Sequence, residues 1–294
     1  MRILTFDIED WFHVLDHTST RSESDWGLFP SRIYKNVHRV LDLLERYRTP
    51  ATFFCLGWIA ERYPSLVREI SDCGYEIASH SHTHQLAYKQ SRGEFAKDLD
   101  RSIKTLQDVT GQRVRAFRAP GFSVTTENPW VVDVLVEYGI EIDCSIFPVM
   151  RSHGGFPEVK ASEPVLLLCN NGTLKEFPMS VATILGFRFA FSGGGYFRLL
   201  PYPLIRRLSR DSDYMMTYFH PRDFDPGQPL VPGLGLLRRF KSYYGLGSAS
   251  TKLEWLLGEF DFIDLARADK KIDWSRERVV DLRETITKSV GRIG

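Results

Sequence analysis

The chain has no long apolar run, no cluster of cysteines and almost no net charge, and each shortage removes a class of function. No stretch approaches the ~18 apolar residues that cross a bilayer as a helix. Met1-Arg2 leads straight into a strand-like run with no charged-then-apolar leader, so a cytoplasmic protein without a transmembrane segment is expected. Cys55, Cys73, Cys144 and Cys169 are scattered, which gives neither a disulfide framework nor a structural zinc site and predicts free thiols. A formal net charge of +1 offers no bulk electrostatic basis for binding nucleic acid or an anionic membrane. Basic residues do thicken locally at Arg206-Arg207 and at Arg238-Arg239-Phe240-Lys241, and both are read as solvated helix faces. At 294 residues the chain can bury a substantial core.

Against these absences stand four residue clusters. Three histidines alternate in Glu76-Ile-Ala-Ser-His80-Ser-His82-Thr-His84, directly after an apolar run. Neutral imidazole suits zinc and its first-row neighbours, and His80 and His84, four apart on a loop, can aim at one ion. Two histidines call for a carboxylate as third ligand and leave a position open for water, as in catalytic sites. That carboxylate has candidates in Thr5-Phe-Asp7-Ile-Glu9-Asp10, a short apolar run ending in acids. Buried parallel strands read as such runs, and α/β proteins carry chemistry at strand carboxyl ends. Acids so close repel in apolar surroundings, so a cation or an arginine is expected beside them. Arg118, at the end of Val114–Phe117 and before Pro120-Gly121, supplies the arginine. His220 ends another apolar run before Pro221.

Together the four segments resemble the polysaccharide deacetylase family, the NodB-homology carbohydrate esterases. Thr5-Phe6-Asp7 is similar to that family's first motif and His80-Ser81-His82-Thr83-His84 to its metal-binding second. Arg118-Ala119-Pro120 is similar to the third, and Phe219-His220 to the fifth. The resemblance implies Asp7 as catalytic base, Arg118 as its holder, His220 as acid, and a divalent ion, zinc, on His80, His84 and an acid. Ile8 stands where the family's usual second aspartate lies, so Glu9 and Asp10 both remain candidates for that acid. The fourth motif is poorly matched at Ile140–Pro148, without its aspartate-tryptophan pair. Pro120, Phe122 and Asp143 are expected to bind substrate through the third and fourth motifs. The closing segment resembles the subgroup associated with bacterial exopolysaccharide and O-antigen clusters.

Periodicity gives the organisation. Helical spacing is read over Ile33–Arg48, Pro64–Cys73, Gly93–Val109, Pro129–Tyr138, Leu234–Tyr244 and Ser250–Phe260. Strands are read at the first run, Pro50–Leu56, Tyr75–Ala78, Val114–Phe117 and Ile140–Asp143. Such alternation predicts an α/β fold, an irregular (β/α) barrel. A barrel domain is expected over 1–225, with a β-rich insertion near 150–200 and a C-terminal helical extension over 226–294 packed on it. The tail after Asp273 reads as charged and peripheral. In the insertion, Gly193-Gly194-Gly195-Tyr196 is expected near the mouth, with Gly194 and Tyr196 touching substrate and Arg198 contacting phosphate.

The expected activity is metal-dependent removal of an N-acetyl group from an amino sugar, nucleotide-linked, lipid-linked or oligomeric, in surface polysaccharide synthesis. An amidohydrolase of cyclic amides or imides and an inactive carbohydrate-binding relative are the alternatives.

Overall fold

The computed structural model describes residues 1–17, 20, 23–150, 154–159, 162–184 and 186–290. Its strands in chain order are β1 (Arg2–Ile3), β2 (Thr5–Ile8), β3 (Thr52–Cys55), β4 (Glu76–Ser79), β5 (Ala116–Phe117), β6 (Ile142–Asp143), β7 (Val165–Cys169), β8 (Gly172–Glu176), β9 (Ala182–Ile184), β10 (Phe187–Phe189), β11 (Met215–Met216) and β12 (Val279–Asp281). The main sheet runs β12-β7-β8-β6-β5-β4-β3-β2. From β2 to β8 every neighbour is parallel, as buried strands joined by helical crossovers should be. On the far side of β2 the chain closes round: β1 pairs parallel with β11, and Phe6 bridges Phe219. Side chains bring β11 towards the end of β8, where Tyr214 Oη donates to the Pro178 carbonyl and Met216 N–H to Ser180 Oγ. The sheet is therefore an irregular barrel, the expected α/β class.

Local sequence explains the elements around it. In the helix Ile33–Tyr47, Val37, Val40, Leu41 and Leu44 recur at helical spacing and are buried against the sheet. Ser91 and Glu94 form a capping box before Arg92–Thr110, and Gly111 ends it at φ 67. Inside the barrel wall Phe6 stacks on Phe53 at 5.4 Å. Each such fully buried ring stabilises the fold by about 1.5–3 kcal/mol.

The structure differs from the sequence reading in the second half. β7 and β8 belong to the main sheet, leaving only the β9–β10 hairpin as a separate β unit. The tail is not peripheral: β12 pairs parallel with β7 and forms the sheet edge, so the C-terminal extension is not helical alone. The helix expected over Ser250–Phe260 begins at Leu246, behind Gly245.

Candidate active site

Glu9 follows β2, and its Oε1 lies 3.1 Å from His80 Nε2 and 3.0 Å from His84 Nε2, all three side chains buried. His80 directly follows β4, and its Nδ1 sits 2.8 Å from the Arg118 backbone carbonyl. A carbonyl only accepts, so Nδ1 carries a proton and Nε2 is the nitrogen turned to Glu9. His84 returns to the same point through a tight loop in which Ser81 and His84 take φ 69 and 53. Such backbone costs a side-chain-bearing residue about 1–2 kcal/mol. Asp98, on the helix Arg92–Thr110, offsets it by accepting the N–H groups of His82 at 2.7 Å and Thr83 at 2.9 Å. Burial works against the Glu9 charge. The His84 and His220 charges and hydrogen bonds from both loop histidines outweigh it and hold the carboxyl well below its usual range. An ionised carboxylate met by imidazole nitrogens is a donor set suited to a divalent ion.

Across from it, Asp7 Oδ1 lies 2.7 Å from Arg118 Nη1. Arg118 is fully buried, also donates to Thr5 Oγ1 at 2.8 Å, and lies over the Phe54 ring at 4.1 Å. It is thus locked by a hydrogen-bonded pair and a cation–π contact. His220 Nε2 points into the same space, 3.9 Å from Asp7 Oδ2 and 3.6 Å from Glu9 Oε1. Its Nδ1 meets Asp223 Oδ2 at 2.9 Å, and Arg198 Nε lies 3.1 Å from the other Asp223 oxygen. Burial lowers the His220 pKa, but the charges of Glu9, Asp223 and Asp7 outweigh that and raise it to about 9. The backbone fixes Asp7 against His220, because Asp7 N–H donates to the Phe219 carbonyl at 2.7 Å.

These groups open on a cavity of about 210 Å³ whose wall also holds Phe122, His13, Tyr218 and Arg222. The last three went unremarked in the sequence. Asp10 N–H donates to His13 Nδ1 at 2.9 Å, which puts the His13 proton on a buried Nε2 with no partner among the described residues. No ion pair holds the Arg222 side chain among them, and it is half-buried.

Several expected site residues stand elsewhere. Asp10 turns from the histidines and accepts from Ser31 Oγ, Trp11 N–H and Arg32 N–H, holding the start of the helix Ile33–Tyr47. Pro120 is buried and starts a turn rather than lining the cavity. Asp143 is fully buried beneath the site. Ser145 Oγ donates to it, and Ala119 N–H donates to that Oγ. Its carboxyl is raised to about 6, chiefly by burial, beside the buried Glu176. Gly193 and Gly194 pack against Tyr218, where a Cβ would lie 2.0 Å from its carbonyl and 2.9 Å from its hydroxyl. These glycines serve close packing and not ligand approach. Tyr196 is outside the cavity wall, and Arg198 is buried, bound to Asp223 and to the carbonyls of Lys241, Ser242 and Tyr244.

Comparison with known proteins matches two segments of the chain. Residues 23–142 match the polysaccharide deacetylase model, and residues 144–270 match a domain of unknown function, DUF3473. A peptidoglycan deacetylase of Helicobacter pylori is 26% identical over 41% of this chain and 39% of its own length. A peptidoglycan-N-acetylglucosamine deacetylase of Listeria monocytogenes is 36% identical over 28% of this chain and 17% of its own. The chain thus spans well under half the length of these curated relatives. Among solved structures, a Mycobacterium smegmatis protein described as a candidate polysaccharide deacetylase superposes with TM-score 0.65 at 19% identity. That match covers 95% of this chain and 91% of that one. An allantoinase superposes at 0.56 with 15% identity, covering 91% and 87%. Both show a shared fold.

Proposed function

We propose that this chain, whose residues 23–142 match the polysaccharide deacetylase model, is a metal-dependent hydrolase removing an N-acetyl group from an amino sugar. The convergence of Glu9, His80 and His84 beside an Asp7–His220 pair carries this reading. An amide is a poor electrophile with a poor leaving group, so both ends of the bond need help. Glu9, His80 and His84 would hold the ion, zinc by the chemistry of the set, which when bound polarises the carbonyl and acidifies a water. Asp7 Oδ2 accepts the water's proton, while Arg118 holds Oδ1 and keeps the carboxylate turned to the cavity. His220 Nε2 donates to the departing amine, and Asp223 on Nδ1 fixes the ring and stabilises its charge. Phe122 and Tyr218 offer ring surface to the sugar.

Arg222 takes the place that the sequence reading gave to Arg198. A cation at the cavity wall without an ion-pair partner among the described residues favours a substrate carrying an anionic group, as an activated or lipid-linked sugar does. The catalytic unit on this reading spans both matched segments and the residues before them: Asp7 and Glu9 precede residue 23, His80 and Arg118 lie in the first segment and His220 in the second. We place it in bacterial surface or exopolysaccharide synthesis, acting in the cytoplasm before export.

Metal analysis coupled to acetate release from a panel of N-acetyl sugars, activated and polymeric, tests the reading. One divalent ion per chain and acetate release abolished by chelation are expected. Turnover of cyclic imides with no acetate release from any sugar would sink it.

A further inference from the structure

The segment Leu236–Tyr243 forms a helix with no buried residue, an uncommon state for a helix rich in leucine and phenylalanine. Leu236 is 86% exposed, Leu237 67%, Phe240 49%, and the following Tyr244 49%. At ~100° per residue, Leu236, Phe240 and Leu237 fall within one arc of about 100°. Tyr244 continues it, its ring 4.8 Å from Phe240. Arg239 and Lys241 flank this stripe, one on each side, both exposed and without an ion-pair partner among the described residues. Arg238 and Ser242 occupy the opposite side, where Arg238 donates to the carbonyls of Leu15 and Asp16.

An apolar stripe edged by free cations is complementary to a lipid surface whose headgroups are anionic. The rings and leucines enter the acyl boundary while the cations reach phosphates at the edge. We propose that Leu236–Tyr244 docks this protein on an anionic bilayer surface. The sequence reading of Arg238–Lys241 as a merely solvated face is thereby replaced, and the small net charge does not oppose it, because local charge sets this contact. The helix is short, so partition is reversible and depends on both apolar area and charge. It is also tied to the site. Arg238 holds the Leu15 segment of the cavity wall, and Arg198 binds carbonyls at the end of the helix as well as Asp223. Docking therefore brings the cavity to the membrane, where a lipid-borne glycan would be met.

Vesicle co-sedimentation tests the proposal without measuring turnover, so its failure leaves the proposed activity standing. The parent protein should sediment with phosphatidylcholine–phosphatidylglycerol vesicles, less so as salt rises, and weakly with phosphatidylcholine alone. The double variant Leu237→Glu/Phe240→Glu should lose at least about tenfold in partition while keeping its metal content and circular dichroism. Arg239→Glu/Lys241→Glu should lose about fivefold per charge on the anionic vesicles only. No sedimentation with either vesicle would overturn the proposal, as would equal partition of parent and Leu237→Glu/Phe240→Glu. A parent dimer made monomeric by that variant, with no vesicle binding, would give the face to a second copy and overturn it equally.

Discussion

Residues 1–142 and residues 144–270 hold their functional groups by different means. In the first region Asp7 lies on β2, His80 and Arg118 leave the ends of adjacent parallel strands, and backbone pairing sets their spacing. In the second, His220 is aimed by a relay of side chains, Arg198 to Asp223 to His220, beside the turn Pro221–Phe224. Strand ends position ligands with little help from any one neighbour. A relay concentrates its effect in a few residues. In this chain Asp223 holds the histidine, its Oδ2 2.9 Å from His220 Nδ1.

If the division is right, metal content and turnover should separate along it. The largest effect is expected from His80→Ala or His84→Ala, which should strip the ion and cut acetate release by roughly a thousandfold or more. Retention of metal in both would break the comparison at its first half. Asp7→Asn and His220→Ala should each keep the metal and lose about a hundredfold to ten-thousandfold in kcat. Metal loss in Asp7→Asn would make that residue a ligand. Asp223→Asn should keep the metal and cost about 10–100-fold, in kcat rather than KM. A pure KM effect would show that Asp223 shapes substrate binding and not the histidine.

A further effect concerns stability rather than turnover and sharpens the boundary between the halves. Folding raises Asp143 from 3.8 to about 6, chiefly by burial, so the native state keeps a proton that the unfolded chain has released. The favourable contribution is complete below about pH 4 and is lost as pH rises through 6, by about 3 kcal/mol. Urea unfolding of Asp143→Asn against its parent should show a gap widening in the variant's favour across that window. A constant gap would mean that Asp143 is ionised in the fold.

Much of the first region was legible because strand and helix periods there agree with the motifs they carry. Asp7, His80 and Arg118 lie at or next to strand ends and His84 follows in the loop after β4, so a one-dimensional pattern already contains much of their meeting place. The choice between Glu9 and Asp10 was not legible. It depends on Ser31 and Arg32, distant in sequence, drawing Asp10 away. Asp223 was hidden for the same reason as Asp98: an aspartate in a turn or on a helix face looks solvated until the fold shows what it accepts. Arg198 and the glycine triplet misled because exposure was assumed. Tyr218 fills the space above Gly193 and Gly194, and three helix-end carbonyls claim the arginine.

The pairing of β1 with β11 also sets an order of events during synthesis. Thr5 N–H donates to Thr217 Oγ1 across 212 residues of chain. Contacts so distant close late, after the local helices have formed. A nascent chain halted before residue 215 carries Glu9, both loop histidines and Arg118, but lacks β11, Thr217 and Phe219, so the outer edge of β2 lacks these partners and His220 does not yet stand opposite Asp7. On the proposed mechanism, such a fragment would hold the residues that bind the ion while having no acid to release an amine. The chain becomes competent only when its last third returns to meet its first strand.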